Sequence, residues 1–401
     1  MEPNDQRALS GVRVLDLAHP YGQYCGKLLA DLGADVIKIE PPSGDLARQF
    51  GPFKGDQPGT DTSLFFANYN SNKRSLALDL TSSEGQDLFR RLVKAVDALV
   101  HTPQHLSYPG LDLSYEALRA INSKIIVAEI QGFAEGGPYS DYQSTPLVAF
   151  ALSGIMKNIG PPEGPPDPAP GQIAFDLAAI DAASGIVCSL LADEGQRITV
   201  AAQEVLASEV NPRAPEQFDP TRHPHSSNPQ LAPSGAYECQ NGQVTFFTNL
   251  PGHWLGLREL LGNPPEIAGE EWNDRVYRQL HSKELDELLL RRLADRSQMD
   301  IVLEGQKLHV PCGPVNTVEA FANDAHAAAR GFFVNASSPA LGEFKMAGAP
   351  YKMSEGGWSL RRTAPGLGEH SREILEKELG LSNGEVERLL KAGVVASGAK
   401  A

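Results

Sequence analysis

The sequence predicts an α/β protein built on a parallel sheet, and three observations carry that reading. Short β-rich runs alternate with stretches whose apolar residues recur at helical spacing through the first half of the chain. One of those stretches opens on a capping pattern with a one-sided apolar face behind it. The composition, 41% hydrophobic and 21% charged over 401 residues, is that of a folded globular chain. Alternation of this kind buries a parallel sheet between helices and calls for right-handed crossovers.

The elements follow in order. VRVLDL at 12–17 is the first strand, and small and apolar residues at 24–32 make the first helix. A second strand is expected at 36–39 and a third at 76–80. Thr81 with Glu84 forms a capping box for a helix that carries Leu88, Phe89, Leu92, Val93 and Val96 on one face. Strands at 98–100 and 125–130 complete the series. PPEGPPDPAPG at 161–171 is too rich in Pro and Gly for regular structure, and a helix follows at about 177–191. The polar, Pro-rich stretch 211–233 is a linker. Residues 236–249, with a turn at Asn241-Gly242, make a hairpin. Helical patterns to about 308 give the middle third the character of a smaller α+β domain. Ser382 and Glu385 cap a last helix with Val386, Leu389 and Leu390 behind them.

Charge and cysteine usage narrow the function classes. With 35 Lys and Arg against 50 Asp and Glu, the net charge of −15 excludes a generic nucleic-acid surface. No window holds the roughly 18 uncharged apolar residues of a membrane helix. The opening MEPNDQRALSG lacks the apolar centre of a secretory signal, which predicts a cytoplasmic protein. Cys25, Cys188, Cys239 and Cys312 lie far apart, the pattern of a reducing compartment with neither structural disulfides nor structural zinc. The ten histidines are scattered, so no metal site is expected. GQYCGKL at 22–28 falls short of a phosphate loop: three residues separate its glycines, and Leu28 follows Lys27.

Six segments, taken in order, resemble the family III CoA-transferases, also called the CaiB/BaiF family. They are LSGVRVLDLAHPYGQYCGKLLADLGADVIKIEPPSGD at 9–45, NYNSNKRSLALDL at 68–80, QGFAEGGPYSD at 131–141, GQIAFDLAAIDAASGIVCSLLA at 171–192, VPCGPVNTVEAFANDAHAAARGFF at 310–333 and APGLGEHSREILEKELG at 364–380. The resemblance implies transfer of CoA from an acyl-CoA donor to an organic acid. An aspartate attacks the donor thioester, and the mixed anhydride is opened by CoA to an aspartyl-CoA thioester. The matching position is Asp176. On the residues alone, Asp176 also reads as the N-cap of the helix that follows.

The resemblance further places Lys38, Asn72, Lys73 and Arg74 near the CoA nucleotide, where cations would meet phosphate. It sets Gln131 and Gly132 beside the pantetheine, and Glu135 as a further active-site carboxylate. It implies CoA thioesters as substrates with succinyl-CoA as donor, no tightly bound cofactor, and an interlocked dimer. A large Rossmann-like domain would come from both chain ends (1–210 and 321–401), with linkers at 211–233 and from 321 onward, around a small domain at 234–320.

Three segments depart from the family pattern. HTPQHLSYPGLD at 101–112 contains no Lys or Arg where the family has a basic loop. Gln131 stands at a position that is often basic. QSTPL at 143–147 lacks the histidine of the related α-methylacyl-CoA racemases, which counts against their two-base chemistry. The same departures fit a supporting subunit of a heteromeric member, such as the benzylsuccinate type, so a heteromer stands beside the homodimer.

Overall fold

A computed structural model describes residues 7–103, 108–156, 159–160, 164–210 and 232–398. Most of the linker expected at 211–233, and part of the 101–112 loop, lie outside the described residues. The chain divides into two units. One comprises Met1–Ile155, Pro168–Asn211 and Ala328–Ala401; the other comprises Met156–Asp167 and Pro212–Ala327.

The first unit is organised by β1 (Arg13–Leu17), β2 (Asp35–Glu40), β3 (Arg74–Leu78), β4 (Ala98–His101), β5 (Ile126–Gln131) and β6 (Arg197–Ala201). All six run parallel in the order β3-β2-β1-β4-β5-β6. β1 pairs with β2 on one side and β4 on the other, Val14 standing opposite both Val36 and Ala98. The strand order therefore reverses between β1 and β4, the place where open α/β sheets receive ligands. A short last strand, β12 (Val395–Ala396), lies antiparallel on the outer edge of β3.

The helices of this unit are α1 (Gln23–Asp31), α2 (Leu64–Tyr69), α3 (Ser83–Val93), α4 (Tyr115–Ile121), α5 (Pro146–Leu152), α6 (Ile173–Ala192) and α7 (Ala202–Val210). Leu15, Ile37, Leu76, Leu99 and Val127 from the strands are buried with Phe89 and Leu92 of α3 and with Val386 and Leu389 near the C-terminus. Each such side chain contributes roughly 1.5–3 kcal/mol by leaving water. The expected capping box moves by one residue: Ser82, not Thr81, caps α3 by accepting from Gly85 N. Thr81 instead bonds Asp79. β6 has no counterpart in the sequence reading, and β3 starts and ends two residues earlier than expected.

α6 begins at Ile173, four residues before the expected start, with Gln172 as its N-cap residue. Asp176 is thus not a cap. Its own N–H already bonds Gln172 O at 2.9 Å inside the first turn. The buried alanines 174, 178, 179, 182 and 183 let α6 lie close against α1 and β5. By length and apolarity α6 would qualify as a membrane span, but its alanine face is core, and Asp176 and Asp181 interrupt it.

In the second unit β7 (Ser234–Cys239), β8 (Gly242–Phe247) and β9 (Cys312–Pro314) form an antiparallel sheet. Cys239 pairs with Gly242, so the hairpin turns on Gln240-Asn241, one residue earlier than expected. Trp254, Leu257, Leu285, Leu289 and Ile301 supply its core. The stretch from 321 to 339, expected as a linker, is structured: helix Ala325–Ala329 leads into β10 (Phe333–Ser338), which pairs with β11 (Gly342–Ala347), both strands belonging to the first unit.

Candidate active site

A buried polar network joins β1, β2 and the segment that leads into β3. β1 carries Asp16, β2 carries Lys38, and Lys73 directly precedes β3; none of the three has exposed surface. Lys73 Nζ donates to Asp16 Oδ2 at 2.6 Å, to Gln23 O at 2.8 Å and to Asn70 Oδ1 at 2.9 Å. Lys38 Nζ donates to Ala18 O at 2.6 Å and pairs with Asp45 at 2.8 Å. Burial works against the charge on both lysines. At Lys38 the carboxylates of Asp45 and Asp16 outweigh it and raise the pKa. At Lys73 burial prevails over Asp16, with Lys38 adding repulsion, and the pKa falls.

These contacts are the internal partners of the segment expected near the nucleotide. Lys38 and Lys73 are enclosed, and both ammonium groups are engaged inside the unit. Asn72 is buried at a left-handed φ of 65°, donating to Asp31 and Ser359 O and accepting from Arg361 N and Arg362 N. Arg74 lines a cleft of about 800 Å3 with Arg48, Arg362 and His370, but its guanidinium is held by Asp35 and Glu378. All four residues tie the fold together.

The glycines of the failed phosphate loop serve close packing. A Cβ on Gly22 would stand 2.8 Å from Thr102 Cγ2, where the β1–α1 turn meets the end of β4. A Cβ on Gly26 would stand 2.4 Å from Asp16 Oδ2. Lys27 pairs with Asp31 one turn along α1.

Asp176 sits above this network through α2. Ser63 caps α2, accepting from Phe66 N at 3.0 Å, and the helix ends on Tyr69. Tyr69 Oη donates to Asp176 Oδ2 at 2.9 Å. The next residue, Asn70, donates to Gln23 Oε1 at 2.7 Å and accepts from Lys73, anchoring the end of α2 in the buried network. Rings close around the pair: Phe65 packs 4.5 Å and Tyr24 5.8 Å from Tyr69, and Tyr21 stacks on Phe175 at 5.0 Å. Burial pushes the Asp176 carboxyl up to about 6, and the Tyr69 hydrogen bond opposes that rise. Burial and the facing carboxylate raise the Tyr69 phenol, keeping it a donor. Nothing in the sequence singles out Tyr69, because its partner lies 107 residues away.

Gln131 ends β5 with its side chain buried and its Nε2 unpartnered, the one member of the expected set with an unused buried donor. Gly132 accepts from Gln203 N at 3.1 Å, linking the end of β5 to α7. Glu135 is exposed and pairs with Arg197 at 2.6 Å; the same guanidinium holds Glu129 at 2.6 Å. Glu129 also faces His101 at 3.5 Å. Burial would raise the Glu129 carboxyl, but His101 and Arg197 hold it below the usual range. Among the described residues no cluster of three His, Cys, Asp or Glu side chains could hold a metal ion.

Comparison with known proteins decides the family. The family model "CoA-transferase family III" matches residues 9–371. The chain belongs to CoA-transferase family III. It is 30% identical to a formyl-CoA:oxalate CoA-transferase of Streptomyces avermitilis, over 97% of this chain and 100% of that one. It is equally similar, at 30%, to the succinyl-CoA:(R)-benzylsuccinate CoA-transferase subunit BbsE of Thauera aromatica, over 96% and 98%. Among solved structures it superposes on a CAIB/BAIF family protein from Brucella suis with a TM-score of 0.81, at 28% identity over 92% of this chain and 99% of that one. The large parallel sheet is thus the family III fold, and the chain is an enzyme of the CoA-transferase class that uses CoA thioesters as substrates.

Proposed function

We propose that this family III enzyme moves CoA from succinyl-CoA to an organic acid, with Asp176 as nucleophile. The observation that carries the reading is the state of that carboxylate. It is half-buried, more basic than an ordinary aspartate yet ionised at neutral pH, and Tyr69 is its one side-chain hydrogen-bond partner among the described residues. A carboxylate is a weak nucleophile, and partial desolvation beside a fixed donor is what its attack requires. The acyl group enters where the strand order reverses, with Gln131, Gly132 and Glu135 lining the approach. No tightly bound cofactor is needed. The working form is an interlocked dimer in the cytoplasm, each chain having a large domain from both of its ends and a smaller one at 234–320.

A second reading has its own support. One relative is named as a subunit, and the 101–112 segment contains no Lys or Arg. On that reading the chain supports a related catalytic partner. Intact-mass spectrometry after incubation with succinyl-CoA, followed by hydroxylamine or borohydride trapping, separates the two. A modification that maps to Asp176 and is absent from Asp176→Ala is expected. Its absence from a folded wild-type chain would favour the supporting subunit.

A further inference from the structure

We propose that Tyr69 is a catalytic residue, the oxyanion donor for the step that converts the mixed anhydride to the aspartyl-CoA thioester. The proposal rests on Asp176 as nucleophile and takes its force from which oxygen Tyr69 holds. With Oδ2 engaged by the phenol at 2.9 Å, Oδ1 is the oxygen left to attack. In the first step Oδ1 bonds the acyl carbon, the carbon–sulfur bond breaks, and CoA leaves as thiolate. In the second step the thiolate attacks Cγ of Asp176. The carbonyl oxygen at that carbon is Oδ2, so the negative charge of the tetrahedral intermediate builds on the atom Tyr69 already holds. The Cγ–Oδ1 bond then breaks, the donor acid departs as a carboxylate carrying Oδ1, and Oδ2 becomes the thioester carbonyl oxygen. No proton is gained or lost overall.

Two further features suit Tyr69 to this work. The phenol remains protonated beside the carboxylate, so the donor is present throughout the working range of pH. Its position is fixed from below, because adjacent Asn70 is clamped between Gln23 and Lys73, and from the side by the Phe65 and Tyr24 rings. A donor held in place before charge develops is worth far more than one that must reorganise.

The test is single-turnover formation of the aspartyl-CoA adduct from succinyl-CoA, followed by intact mass, in wild type, Tyr69→Phe and Asp176→Ala. Tyr69→Phe keeps the ring and loses the donor. Its adduct is expected to form roughly 10²-fold more slowly, with the donor KM near wild type and the acid limb of the pH profile moved upward. Adduct formation at the wild-type rate would overturn the proposal while leaving Asp176 as nucleophile. A wild-type chain that forms no adduct at Asp176 would overturn both. If Tyr69→Phe fails to fold, 3-fluorotyrosine placed at 69 keeps the shape and sharpens the donor. Several-fold faster adduct formation is then expected, and an unchanged rate sinks the proposal.

Discussion

Asp16 and Lys73 meet at 2.6 Å on side chains with no exposed surface. Such a pair adds little over an apolar substitute of the same shape, but half of it is costly to keep, because Asp16 would be left in a dry interior with only the more distant Lys38 at 3.9 Å as its cation. Lys73→Met is therefore expected to destabilise the chain by about 3–5 kcal/mol. The double variant Asp16→Asn/Lys73→Met should lose clearly less. Urea denaturation at pH 7 reads both, and a double variant weaker than the single one would contradict the pairing argument.

Gly26 owes its identity to the same pair. A methyl group there would stand 2.4 Å from Asp16 Oδ2, so either the carboxylate or α1 must move. Gly26→Ala would gain helix propensity but is expected to lose about 1–3 kcal/mol net through overpacking. A thermal melt that rises with this substitution would show that α1 has room the structure does not give it.

Stability should depend on pH through Asp176 with an unusual sign. Its carboxyl lies at about 6 in the folded chain against an ordinary 3.8. The folded state therefore holds the proton more tightly than the unfolded one, and ionisation disfavours folding. That penalty is absent below about pH 4 and complete above about pH 6. Asp176→Asn is expected to be more stable than wild type at pH 8, by on the order of 2 kcal/mol, with the difference shrinking at pH 5. Trapped adduct in the wild type should fall as pH drops through 6. Chemical denaturation at the two pH values is decisive: equal stability at both would mean that burial does not perturb this carboxyl.

The last helix (Asn383–Lys391) opens on a reciprocal cap. Ser382 Oγ accepts from Glu385 N, and Glu385 Oε2 accepts from Ser382 N at 2.8 Å. Ser382→Ala should cost about 1 kcal/mol. Since Val386 and Leu389 belong to the core of the first unit, the loss should appear in the global melt as well as in faster exchange of the Glu385 amide. A change in exchange alone would mean that the helix end frays independently.

Strands β1, β2, β4 and β5 were legible because each is a short apolar run bounded by turn residues, and the Ser382 cap because its pattern is local. β6 escaped notice since RITVA is half-exposed along most of its length and follows directly on the end of α6, where Asp193 takes a left-handed φ of 52°. The segment around Asp176 singles that residue out, but it does not show its setting. Gln172 is the N-cap residue in its stead. Lys38, Lys73 and Arg74 show the limit most clearly. A lysine that meets phosphate and one that meets an aspartate look alike in sequence, and the pairing of Lys73 with Asp16, Lys38 with Asp45 and Arg74 with Asp35 is visible only in the fold. Tyr69 is invisible for the converse reason, since its meaning lies in a residue on a different helix.

The outer edge of β3 is closed by β12, and Val395 pairs with Leu78 across a long separation in sequence. On a ribosome, β12 is made after β3, so the bare edge waits through the synthesis of roughly 300 residues, tens of seconds at ordinary rates. Unpaired strand edges of this kind recruit other strands. The middle unit, encoded without interruption from Pro212 to Ala327 save for one short segment, can complete itself in the meantime. Loss of β12 itself would therefore act less on catalysis than on the yield of folded chain, leaving every nascent copy with an adhesive flank.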